Sequence, residues 1–195
     1  MGRPREFDTT QALEAAMNAF WQKGYASTSM ADLMEAMDLR KGSIYKAFGD
    51  KHALFVKTLE HYMQQGITLL RARFAEAGTP LDAVRLFLEL AVEQCRLGSP
   101  CMGCYAANTV VELGPHDEKV NALLSQHLSR VRQLLVDQIV AGQANGSIRE
   151  DLPPADLAEF LSTLQMGIVS RAKNAQVHAA QDAVVAQAMA HLQSP

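Results

Sequence analysis

Cysteine is scarce in this chain: three in 195 residues cannot all pair with one another, so no disulfide framework organises the fold. Long hydrophobic runs are missing as well. The longest fall far short of the roughly 20 residues a membrane span needs, and no membrane partner is expected. Charge of one sign is also lacking, since 18 Lys and Arg stand against 21 Asp and Glu for a formal net charge of −3. An affinity for nucleic acid must therefore come from local placement, not from the total. The chain has no Gly-rich phosphate loop, nucleophile elbow or close carboxylate pair in a confirming context, and its six histidines show no HExxH spacing. An enzyme is not indicated, and no catalytic residue, metal or cofactor is expected. A zinc site from Cys101, Cys104 and His116 lacks the usual second ligand pair at close spacing. Met1-Gly2-Arg3-Pro4-Arg5 leads into no apolar segment of the secretory kind, so the expected home is the reducing cytoplasm.

What the chain does have is apolar residues at helical spacing along almost its whole length. Hydrophobic residues make up 48% of it against 20% charged, an ordinary balance for a globular protein with a buried core. No stretch alternates with period two between hairpin turns, so the expected class is all-α, with about nine helices. The first helix is predicted from Thr9 to Gln22, with Leu13, Ala16, Met17 and Phe20 on one stripe, Asp8 and Gln11 as a capping box and Gly24 as its stop. A short second helix follows Thr28, whose hydroxyl is expected to cap it, and buries Met30, Leu33, Met34 and Met37. The turn Asp38-Leu39-Arg40 leads to a third short helix, Lys41 to Phe48, burying Ile44 and Phe48. Two short helices joined by a three- or four-residue turn form the helix-turn-helix spacing, here about 28–48.

Asp50 then caps a long helix, about Lys51 to Ala77, that spans roughly 40 Å at ~1.5 Å per residue and leaves the small N-terminal unit. Gly-Pro and Pro-Pro punctuation divides the remainder into helices near 81–97, 101–113, 117–144, 155–174 and 181–192. From Met1 to His52 seven basic residues (Arg3, Arg5, Lys23, Arg40, Lys41, Lys46, Lys51) balance seven acidic ones (Glu6, Asp8, Glu14, Asp32, Glu35, Asp38, Asp50). Four of the basic ones fall together between Arg40 and Lys51.

Phe20, Gly24-Tyr25, Thr28-Ser29, Leu33, Ala36, Leu39, Lys41-Gly42-Ser43-Ile44-Tyr45, Phe48, Lys51 and Ala53-Leu54 resemble, in order, the N-terminal signature of the TetR/AcrR family of repressors. Gly103-Cys104, Asn108-Thr109 and Glu112-Leu113 look like the pattern of one large subset of that family. Two positions depart from the signature. Asp38 stands where the family usually has Gly in the turn, and Arg40 replaces the usual small N-cap.

The resemblance implies a DNA-binding domain over residues 1–50 and a ligand-sensing and dimerisation domain over 51–195. Thr28, Lys41, Tyr45 and Lys51 would hold phosphates, and Gly42 would let the backbone approach the duplex. Ser43 and Lys46 would reach base edges, and Arg40 either kind of group. Arg3 and Arg5 would suit the minor groove, although an unstructured tail without contacts fits them as well. The expected partners are an operator duplex, a second copy of the chain and a small-molecule inducer.

Leu157, Phe160, Leu161, Leu164, Ile168, Val184, Val185, Ala188, Met189 and Leu192 form two apolar stripes suited to a four-helix dimer interface, or else to the protomer's own core. Met63, Leu70, Phe74, Phe87, Cys104, Tyr105, Asn108, Met166 and Ser170 are candidates for a ligand pocket, with plain core as the alternative. Cys101 and Cys104 at a predicted helix start, with Cys95 as a resolving partner, would suit an electrophile or oxidant sensor; two small buried side chains are the plainer reading. The function expected is a ligand-released repressor, with thiol-based sensing as the alternative signal.

Overall fold

A computed structural model describes residues 7–97, 101–174 and 178–193, and all regular structure among them is helical. The elements are α1 (Thr9–Lys23), α2 (Met30–Met37), α3 (Lys41–Phe48), α4 (Lys51–Glu76), α5 (Pro80–Leu97), α6 (Tyr105–Leu113), α7 (Glu118–Ala144), α8 (Pro154–Ala172) and α9 (His178–Leu192). Arg3 and Arg5 lie outside the described residues.

Local chemistry sets the ends of the first helices. Asp8 caps α1 by accepting from the N–H groups of Thr10 and Gln11, and Gly24 stops it at φ 82°, a conformation that favours glycine. The second helix corrects an expectation: its cap is Ser29, not Thr28. The Ser29 hydroxyl accepts from the Asp32 N–H while the Asp32 carboxylate accepts from the Ser29 N–H, a reciprocal box that Thr28 has no acid in place to form. Thr28 is instead fully buried, and its hydroxyl donates to the Gly24 carbonyl at 2.6 Å.

Asp38 takes the left-handed conformation (φ 49°, ψ 41°) that the turn requires, and its N–H closes onto the carbonyls of Glu35 and Met34. Arg40 opens α3 without any side-chain cap. Asp50 caps α4 through the Ala53 N–H.

Two cores run through the molecule, and α4 belongs to both. Its first half, Leu54 to Met63, packs with Ala16, Met17 and Phe20 of α1, Leu33 and Met37 of α2, and Ile44 and Phe48 of α3. That same core takes in Tyr105 and Ala106 of α6 and Val120 and Leu124 of α7. The far half of α4, at Leu70 and Phe74, joins a second core made by α5, α7, α8 and α9. The three-helix head is therefore built into the body of the protein, and a boundary at residue 50 cuts the first core in two.

The C-terminal stripes also need correction. Leu157, Leu161, Ile168, Val185, Ala188, Met189 and Leu192 are buried in the protomer's own second core, with Leu164 and Val184 packed against it. Of the ten residues expected at a dimer interface only Phe160 is exposed, at 42%. Sequence periodicity finds the apolar stripe, but α5 and α7 cover it before any second copy can.

Candidate nucleic-acid interface and the cavity behind it

The third helix buries Ile44 and Phe48 inward, and that sets what faces out. Lys41, Gly42, Tyr45 and Lys46 are exposed with Arg40 just before them, while Ser43 is half-buried at the edge of the same face. Tyr45 is 45% exposed, unusual for a large aromatic, and the Lys41 ammonium lies 5.7 Å from its ring centre. A Cβ at Gly42 would meet nothing within 4 Å, so the glycine leaves free space outside the protein and does not relieve crowding within it.

Lys51, at the start of α4, sits over the Tyr25 ring at 4.4 Å, which holds its charge beside the same surface. Sequence reading missed one cation here. Lys57 donates to the Ala47 carbonyl near the end of α3, at 3.3 Å, and its signal was only a lysine six residues beyond Lys51 on a long helix. The hydroxyl of Thr28, by contrast, is spent on Gly24 and faces away from solvent, so its predicted phosphate bond is not available as placed.

Behind the head, α4 to α8 line a cavity of about 360 Å³ that is partly open to solvent. Of the pocket candidates, Leu70, Phe87, Cys104 and Met166 line it. Met63 lies in the first core and Phe74 in the second; Tyr105 is buried with its hydroxyl 3.0 Å from the Thr58 hydroxyl; Ser170 is exposed. Asn108 donates to the Met102 carbonyl and accepts from Lys173, and does not line the cavity. The walls that sequence reading missed are chiefly Tyr62, Leu90, Val110, His127, Arg132 and Gln165. Their helices were all predicted, but which of their faces would meet was set by packing over long separations. Burial, and after it the Arg130 charge, hold the His127 imidazole below its usual pKa, which favours the neutral ring.

Cys104 is the N-cap of α6, not a residue within a helix that starts at Cys101; Gly103 at φ 72° turns the chain just before it. Its thiol is free and accepts from the Tyr62 hydroxyl at 3.4 Å. Burial and the adjoining sulfur push the Tyr62 hydroxyl well above its usual pKa, so it stays a donor. Cys101 is disulfide-bonded, which shows that the two cysteines are not joined to each other. The Cys95 side chain lies outside the described residues.

A reading helix held clear of a three-helix head, with a cavity-bearing helical body behind it, defines a helix-turn-helix transcriptional regulator. Residues 12–58 match the family described as bacterial regulatory proteins, tetR family, and residues 80–189 match the tetracyclin repressor-like C-terminal domain. The chain belongs to the tetR family and is a DNA-binding transcriptional regulator.

It is 32% identical over 170 residues to the HTH-type transcriptional repressor ComR of Escherichia coli, covering 86% of this chain and 80% of that protein. A cysteine-substituted CifR bound to 26-base-pair operator DNA superposes with a TM-score of 0.85 at 32% identity, covering 96% of this chain and 98% of the other. The reduced form of NemR from Escherichia coli shares the fold, with a TM-score of 0.87 at 20% identity over 95% and 97% of the two chains. Among the described residues no helix is long and apolar enough to cross a membrane, and no three His, Cys, Asp or Glu side chains group as metal ligands.

Proposed function

We propose that this regulator is a cytoplasmic repressor that grips a near-palindromic operator as a homodimer and releases it when a small molecule enters the cavity. The observation that carries the reading is the exposed face of α3, where Lys41, Tyr45 and Lys46 surround a glycine with open space over it. Two such helices about one DNA turn apart, ~34–36 Å, enter successive major grooves. Kinship supports the reading: ComR is a repressor by name and the CifR structure holds operator DNA. A ligand that favours the non-fitting state by about 1–3 kcal/mol changes operator affinity roughly 5–150-fold. The protein acts by binding, and no chemical step is assigned to it.

Lys46 is assigned to base edges and Lys51 to phosphate, and the two separate in one experiment. Lys46→Ala is expected to cost about 1–3 kcal/mol on the operator and little on random duplex, while Lys51→Ala weakens both alike and lowers the salt slope by about one. Fluorescence anisotropy on both duplexes over a salt series reads this. Equal losses on both duplexes for Lys46→Ala remove its base-reading role.

A second reading, in which the signal is thiol oxidation, is favoured by one specific observation: Cys101 is disulfide-bonded a few residues from the free Cys104 at the cavity wall. Disulfides in cytosolic proteins are usually transient and redox-sensing. Diamide takes two electrons and two protons from a pair of thiols to give a disulfide. It is expected to release the operator from the reduced protein and to leave the Cys101→Ser, Cys104→Ser double variant bound. Release from the double variant rules the pair out.

A further inference from the structure

Besides the shared core, body and head meet through a polar contact at a short corner of the chain. The nine-residue helix α6 faces the cavity with Ala106, Ala107 and Val110, and at its other end carries Glu112. The two oxygens of the Glu112 carboxylate accept from the N–H groups of Tyr25 and Ala26, at 3.0 and 2.8 Å. These amides lie just past the end of α1, where the helix has already stopped, and Glu112 supplies the partner each would otherwise take from water. The site is shaped for the carboxylate: a Cβ at Gly24 would stand 3.1 and 3.2 Å from its two oxygens.

Five residues on, Asp117 caps α7 through the Val120 N–H, and its second oxygen lies 2.6 Å from the His52 imidazole in the first turn of α4. Tyr25 stands between the two contacts. Its backbone is held by Glu112, and its ring is met edge-on by His52 and covered by the Lys51 ammonium.

We propose that Glu112 is the positioning residue through which the state of the cavity sets the attitude of the DNA-reading head. One end of α6 forms cavity wall and the other holds the turn that carries Tyr25, so a displacement at Ala106 and Ala107 reaches the base of Lys51 through a single helix about 13 Å long. A bidentate carboxylate transmits both push and rotation, which one hydrogen bond or an apolar contact does not. The inference rests on the cavity being the sensor.

Operator that binds one state better shifts the population towards it, so the coupling is measurable from the DNA side without an inducer. The probe is the rate at which iodoacetamide alkylates Cys104 in the full-length protein, followed by mass spectrometry of its peptide, with and without an operator duplex selected from random sequences. In the wild type the operator is expected to change the rate about fivefold or more. Glu112→Ala is expected to bring the two rates together while the variant still melts cooperatively. Glu112→Gln, which keeps the size and one acceptor, is expected to lose most of the difference and carries the test if the alanine variant does not fold. A full wild-type difference in a folded Glu112 variant overturns the inference and leaves the sensor reading standing. No operator effect in the wild type overturns both.

Discussion

With glutamate in place of Phe160, the protein is expected to run as a folded monomer and to bind its operator at least about a hundredfold more weakly than the wild type. The second core leaves one large apolar side chain of α8 uncovered. Every other large apolar residue predicted for the interface is buried or packed against that core, whereas Phe160 stands on the outward side of α8 with its ring 5.4 Å from that of His191 on α9. A twofold axis uses any interface residue twice, so one substitution places two carboxylates in a surface that has to shed water.

Losing an aromatic anchor alone costs about 2 kcal/mol or more, and the desolvation of two carboxylates adds to it. A monomer then holds one half-site, and affinity falls from the range of specific complexes, about 10⁻⁸–10⁻¹¹ M, towards non-specific values near 10⁻⁴–10⁻⁶ M. The protomer itself should lose little stability, because the position is already 42% exposed. Sedimentation equilibrium and anisotropy on the operator test this together. A Phe160→Glu variant that stays dimeric with undiminished affinity places the interface on another face.

How much of this was legible in the sequence depended on distance along the chain. The head was readable because its signals are local: Asp8 and Asp50 cap within three residues, Asp38 takes the left-handed turn, and the third helix runs from Lys41 to Phe48 as its pattern indicates. Thr28 misled because Thr and Ser stand side by side, and only Ser29 has an acid three residues on to complete a reciprocal cap. The start of α6 was misplaced by four residues. The punctuation at Gly98-Ser99-Pro100 marks a start at Cys101, yet Gly103 at φ 72° defers the helix to Tyr105.

The cavity and the outward face of α8 were hidden for a different reason. A 3.6-residue period marks which stripe is apolar, but nothing local says whether α5 and α7 or a second copy will cover it. Glu112 is the extreme case, with hydrogen bonds that span 86 and 87 residues of sequence; from the chain alone it was one letter in a pattern.

Phe55→Ala is expected to be the costliest single change to the fold, lowering stability by about 3–5 kcal/mol. Its side chain is 1% exposed and lies where three parts of the first core meet: Phe20 of α1 at 5.1 Å, Tyr25 of the following turn at 4.8 Å and Tyr105 of α6 at 5.9 Å between ring centres. Removing the ring loses its transfer energy and leaves a void. It also breaks three edge-on aromatic pairs whose members are fixed from other sides, Tyr25 by Glu112 and Tyr105 by Thr58, so the site collapses poorly. Against a total of about 5–15 kcal/mol the loss is large, and for a chain of this length it lowers Tm by roughly 6–20 °C.

Phe55→Leu keeps most of the volume and should cost clearly less. Because the ring joins the head to α6, the alanine variant should also bind its operator more weakly at temperatures where it is still folded. Melting followed by circular dichroism, with anisotropy below the transition, separates the two effects. A fall in Tm of under about 3 °C for Phe55→Ala would show that the head and body do not share a core at this residue.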